Sequence, residues 1–193
     1  MTELILVRHG RTRANLEGLY CGQLDLPLLE EAIEEVSQTA LALSAFHPHR
    51  VYCSDLLRAR QTAKIIAPDS AAVLLPSLRE MDFGAFEGLN ADEVQLRYPD
   101  VWHAYMDDYM RFTFPGGDNV ANYLTKSSEW INGIIREAKG SCVLIVSHKG
   151  FILSALSHIL HGDCKHIFCY DIPPAGFARL SIGDGYAVLR QLT

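Results

Sequence analysis

Arg8-His9-Gly10 closes a short apolar run, Leu4–Val7, near the start of the chain. These residue types together suit phosphoryl chemistry. A neutral imidazole can attack phosphorus as a nucleophile. A neighbouring guanidinium can hold phosphate oxygens with two parallel hydrogen bonds. A glycine lets the backbone approach a ligand closely. A second histidine stands in Ser147-His148-Lys149-Gly150, directly after another apolar run, Cys142–Val146. Two further segments concentrate charge: Ser54-Asp55-Leu56-Leu57-Arg58-Ala59 and Leu78-Arg79-Glu80-Met81-Asp82-Phe83-Gly84. Taken alone, an Arg-His-Gly triplet also fits a chance string around a structural histidine.

Other catalytic signatures are missing. The chain has no GxxxxGK[ST] phosphate loop and no GxSxG nucleophile elbow. Cys53 and Arg58 are one residue too close for a cysteine phosphatase loop. DxDxT and HExxH do not occur. His47 with His49, and His158 with His161, lack a nearby carboxylate or a zinc-type spacing, so no metal site is expected. The cysteines are Cys21, Cys53, Cys142, Cys164 and Cys169, with no CxxC pair. Buried free thiols are expected rather than a disulfide framework.

The elements that must position these residues follow from periodicity. Leu4–Val7, Arg50–Cys53, Ala71–Leu75 and Cys142–Val146 read as short buried strands. Between them, Pro27–Phe46 and Leu56–Ala67 carry helical spacing, the second with Ser54 or Asp55 as N-cap and Pro68 as stop. Asn90–Tyr98 and Val101–Phe112 read as helices parted by Pro99. Asp118 follows Pro115-Gly116-Gly117 and precedes a helix bearing Val120, Leu124, Ile131, Ile134 and Ile135. Gly150–Leu160 is a helix, and Ala178–Ile182 and Tyr186–Leu192 form a hairpin about Asp184-Gly185. Strands alternating with helices predict a three-layer α/β/α domain over residues 1–193, its central sheet mostly parallel. Ligands in such sheets bind at the carboxyl ends of strands, where His9 and His148 fall.

Four motifs in this order resemble the histidine phosphatase superfamily, also called phosphoglycerate mutase-like, over nearly the whole chain. The resemblance implies that His9 becomes phosphohistidine, that Arg8, Arg58 and Asn15 bind phosphate, and that His148 donates to it. Glu80 would protonate the leaving alcohol and then deprotonate water. His9 must then be neutral, with one ring nitrogen held by a partner such as a backbone carbonyl. Glu80 must start protonated, which predicts an acidic optimum or a raised pKa. No cofactor is expected. The segment between Glu80 and His148 holds few basic residues and no Arg-Arg pair, which favours a phosphatase over a mutase. Within the superfamily, Glu80 through Gly88 and the terminal hairpin look most like the α-ribazole 5′-phosphate phosphatases of cobalamin assembly. Broader small-molecule phosphatases share these features.

Some positions depart from the family pattern. Arg11 stands where Glu is frequent, Glu35 where Gln is usual, and Lys149 where a small residue is common. Arg11 and Lys149 read either as added positive charge at the site's mouth or as solvated surface. Gly22 is a further mouth candidate. Trp102, Tyr105, Tyr109 and Phe112 fall on one face of the expected helix, either as a lid for a flat base or as core. Asp118 reads as a helix cap or as part of a loop beside the site.

Composition bounds the remaining classes. The 193 residues are 49% hydrophobic and 21% charged, which suits one globular domain. The net charge of −6 argues against general nucleic-acid binding but leaves room for a local arginine cluster and a small anionic partner. No apolar run approaches the ~20 residues of a membrane helix, and no signal peptide is evident. A cytoplasmic monomer or homodimer acting on a small phosphorylated substrate is the expectation. Phosphoryl transfer between substrates and a non-catalytic phosphate-binding module are the competing readings.

Overall fold

The computed structural model describes residues 1–193. Its order is β1 (Thr2–Arg8), α1 (Arg13–Glu17), α2 (Ala32–Leu43), β2 (Arg50–Cys53), α3 (Leu57–Ile66) and β3 (Val73–Leu74). There follow α4 (Ala91–Arg97), α5 (Pro99–Asp107), α6 (Val120–Glu137), β4 (Cys142–Ser147), α7 (Lys149–His161), β5 (Phe177–Gly183) and β6 (Tyr186–Leu192). One six-stranded sheet runs β3-β2-β4-β1-β5-β6. β1 to β4 are mutually parallel where they pair, and the β5–β6 hairpin adds antiparallel to β1.

The sheet is buried on both faces, which explains why its central strands are unbroken apolar runs. Leu4, Leu6, Val143 and Ile145 face one core with α6 and α7 residues such as Ile131, Phe151 and Ile152. Ile5, Val7, Val51, Leu144 and Val146 face the other, with Leu43, Ala59 and Ala63 of α2 and α3. Each such side chain gains about 1.5–3 kcal/mol by leaving water. The three-layer arrangement expected from the sequence is therefore present.

Several boundaries differ from expectation for local reasons. The first long helix begins at Ala32, because Leu28 is held in a bridge to Thr12. The third strand shrinks to Val73–Leu74, an exposed edge. Leu56, not Ser54 or Asp55, is the N-cap of α3, and the Leu57 N–H instead donates to the Asp25 carboxylate at 2.5 Å. Asn119 caps α6 through Asn122 N, while Asp118 accepts from Asp82 N at 2.8 Å. The Val101–Phe112 helix ends at Asp107, since the Asp108 side chain takes the Arg111 N–H and closes a separate 3₁₀ turn. The short helix α1 was not expected at all.

Candidate active site

β1 and β4 are register-matched neighbours, with Arg8 opposite Ser147. The next residue of each strand is a histidine, and His9 N donates to Ser147 O at 3.0 Å. The two rings lie 5.0 Å apart between centroids. Both histidines are buried, and burial plus the nearby Arg8 and Arg58 charges hold both well below the ordinary imidazole range. They are neutral near pH 7.

The neutral tautomer of His9 is set by its partner. Nδ1 lies 2.7 Å from Gly10 O, and a carbonyl can only accept. The proton therefore sits on Nδ1, and Nε2 keeps its lone pair. This is the backbone-carbonyl restraint that a histidine nucleophile requires. Thr62 keeps Gly10 in place, its Oγ1 accepting from Gly10 N at 3.0 Å and donating to Arg58 O at 2.8 Å.

Arg58 has no solvent exposure at all. Its Nε approaches His9 Nε2 at 3.3 Å. Its other nitrogens donate to Leu24 O at 2.6 Å, Gly22 O at 2.8 Å and Cys21 O at 3.3 Å. The 21–24 loop thus fixes the guanidinium by its backbone. Arg8 donates to Ile172 O at 2.8 Å. Two buried nitrogens flanking His9 have no protein partner, Arg8 Nε and His148 Nδ1. Ser54 Oγ lies 2.8 Å from His148 Nε2. With that hydroxyl donating, the His148 proton sits on Nδ1. Buried donors are rarely left unpaired, and this pair suits phosphate oxygens.

Glu80 follows the 3₁₀ turn Pro76–Leu78, which Ser147 anchors through its hydroxyl to Leu78 O at 2.7 Å. Its Oε2 accepts from Gly150 N at 3.0 Å, in the first turn of α7. Its Oε1 accepts from Met81 N at 3.1 Å. Residue 150 is glycine for a reason: a Cβ there would meet Glu80 Oε1 at 2.2 Å.

A cavity of about 260 Å³ gathers these groups, with Arg8, His9, Arg58 and Glu80 in its lining. Tyr20 and Phe83 supply an apolar wall, packed edge to face with centroids 5.4 Å apart. A neutral imidazole, two guanidiniums and a carboxyl group in one cleft, with the His148 ring 5.0 Å from that of His9, fit in-line phosphoryl transfer. No cluster of His, Cys, Asp or Glu side chains could hold a metal ion.

The model of the histidine phosphatase superfamily (branch 1) matches residues 4–193. The chain belongs to this superfamily. An adenosylcobalamin/alpha-ribazole phosphatase of Salmonella typhimurium is 28% identical over 191 residues, covering 98% of this chain and 95% of that protein. Phosphoserine phosphatase 1 of Hydrogenobacter thermophilus is 29% identical over 194 residues, covering 100% and 92%. The crystal structure of the alpha-ribazole phosphatase from Shigella flexneri superposes with a TM-score of 0.91 at 25% identity, covering 98% and 95%.

The remaining residues singled out in the sequence sort by position relative to this histidine phosphatase cleft. Asn15 lines it, its Oδ1 engaged by Thr12 N at 2.9 Å and Thr12 Oγ1 at 3.0 Å. Lys149 lines it too, but is paired with Asp171 at 2.7 Å, and that pairing holds Asp171 below the ordinary carboxylate range. Arg11 does not line it. The guanidinium turns to Glu35 at 3.1 Å, so two departures from the family pattern are partners of each other. Gly22 stands behind the wall, donating to Glu87 Oε1 at 2.9 Å while its carbonyl holds Arg58. Trp102, Tyr105 and Tyr109 are no lid. Tyr105 packs behind Tyr20 and against Phe86, and Tyr109 against Phe168. The wall residues Tyr20 and Phe83 were missed by sequence reasoning. Phe83 lies within the quoted Glu80 motif, but Tyr20 sits in an unpatterned loop.

Proposed function

We propose that this phosphoric monoester hydrolase works through a phosphohistidine on His9 and takes α-ribazole 5′-phosphate as its substrate. The orientation of His9 supports the first part. In step one the Nε2 lone pair attacks phosphorus while the ester P–O bond breaks. Glu80 gives its proton to the departing oxygen, and the alcohol leaves. In step two Glu80 takes a proton from water as that oxygen attacks phosphorus. The P–N bond breaks, inorganic phosphate leaves, and His9 and Glu80 return to their starting forms. Arg8, Arg58 and His148 Nδ1 would hold the three non-bridging oxygens throughout. The substrate is a small phosphorylated molecule, since the cavity is about 260 Å³.

The observation that carries the substrate reading is the wall beside Glu80. Tyr20 and Phe83 offer aromatic surface where the leaving group must lie. Lys149, which also lines the cavity, is already balanced by Asp171. A neutral aromatic nucleoside suits this better than an amino acid's charged ends. The naming of the Salmonella relative agrees with that chemistry.

The test compares kcat/KM for α-ribazole 5′-phosphate, phosphoserine and p-nitrophenyl phosphate, all in EDTA. A preference of ~100-fold for the nucleotide corresponds to about 2.7 kcal/mol of differential transition-state binding. Equal turnover of all three would discard the substrate assignment. His9→Ala should lose turnover by ~10³-fold or more while still binding phosphate. Retained turnover in that variant would discard the intermediate.

A further inference from the structure

We propose that Tyr123 is a positioning residue for catalysis, holding the Glu80 carboxyl group through Oε1 in the orientation from which it protonates the leaving group. A carboxylate offers about four acceptor sites, two on each oxygen. At Oε1 one site takes the Met81 N–H at 3.1 Å, and the Tyr123 hydroxyl lies 3.3 Å away to take the other. At Oε2 one site takes the Gly150 N–H at 3.0 Å. Three protein groups thus fix the plane of the carboxyl group, and Tyr123 is the only side chain among them.

Tyr123 suits this task. It projects from the first turn of α6, a long helix anchored by Val120, Leu124 and Ile131 in the core. Its side chain is half-buried, and desolvation beside Glu80 raises its phenol well above the ordinary tyrosine range. It therefore stays a donor at every working pH. Its single proton is shared between Arg79 O at 3.1 Å and Glu80 Oε1 at 3.3 Å. Such hydrogen bonds are often long in a free enzyme and tighten in the substrate complex. Without the hydroxyl, one of the three holds on the carboxyl group is lost, and it can rotate away from the leaving group.

This rests on Glu80 acting as the general acid, so both residues enter the test. Tyr123→Phe and Glu80→Gln are compared with the unaltered enzyme on a simple alkyl phosphate and on p-nitrophenyl phosphate. The readout is kcat/KM, which reports only the steps through alcohol release. An alkoxide leaving group needs the proton, whereas p-nitrophenolate departs without it. Tyr123→Phe should lose ~10-fold or more on the alkyl phosphate and stay within ~2-fold on p-nitrophenyl phosphate. The ratio between the two substrates is independent of how much variant is folded, so partial unfolding cannot mimic the result. Adding Tyr123→Phe to Glu80→Gln should change neither rate further. A loss equal on both substrates, or on neither, overturns the role of Tyr123 while leaving Glu80 as the acid. If Glu80→Gln itself shows no dependence on leaving group, the assignment of Glu80 falls and that of Tyr123 falls with it.

Discussion

Arg58 joins stability and catalysis in one side chain. It is fully buried, and three backbone carbonyls of the 21–24 loop depend on it. Lysine has the same charge but cannot present a planar fork to several acceptors. Arg58→Lys should therefore leave carbonyls unpaired, at about 1–3 kcal/mol each. We expect unfolding midpoints in urea to fall and kcat to drop by ~10²-fold or more. An unchanged midpoint would mean the loop does not rely on the guanidinium. The proposed catalytic residues could be picked out from their own segments because each adjoins an element whose pattern is strong. His9, Arg58 and His148 stand beside buried apolar runs or in a helix's first turn. Tyr20 and Tyr123 were not readable, because their roles arise from contacts with residues distant in sequence. The ion pair of Arg11 and Glu35 was visible only as two separate oddities.

α7 contributes more than its apolar face. Its first residues bring the Gly150 N–H to Glu80, and the missing side chain at 150 leaves room for the carboxylate. Gly150→Ala would push a methyl group into Glu80 Oε1, built at 2.2 Å. The carboxylate must rotate away from its place. The expected result is a kcat lower by ~10²-fold, the usual order for a misplaced catalytic group, with phosphate inhibition nearly unchanged because Arg8 and Arg58 are untouched. Weakened phosphate inhibition would instead point to a disturbed helix start. Elements with a clean period were legible: β1, β2, β4, α7 and the terminal hairpin lie close to their expected bounds. Those governed by polar side chains were not. Asp108 splits one expected helix, and Asn119 takes the capping role that was one of the two readings of Asp118. The exposed Val73–Leu74 edge kept only part of its predicted length.

For the molecule as a whole, the two buried histidines make stability depend on pH. Both have values held well below 6.5 in the fold, while the unfolded chain titrates near the ordinary value. As pH falls through that value, the unfolded chain takes up protons that the folded one refuses. Stability is therefore greatest above about pH 7 and declines on acidification. Between about pH 7.5 and 5.5 each histidine should remove on the order of 1 kcal/mol. Urea denaturation at both values should show this, and His148→Gln should lessen the slope. A flat profile would contradict neutral, buried imidazoles. The pairing of β1 with β4 has a further consequence, for synthesis. β1 is synthesised well before its parallel partner, Cys142–Ser147. Until then His9 has no second histidine beside it, and the Pro76–Leu78 turn has no Ser147 to anchor it. Contacts of such long range form slowly in any case. A nascent chain should therefore acquire enzymatic competence in one late step, with no partially active precursor.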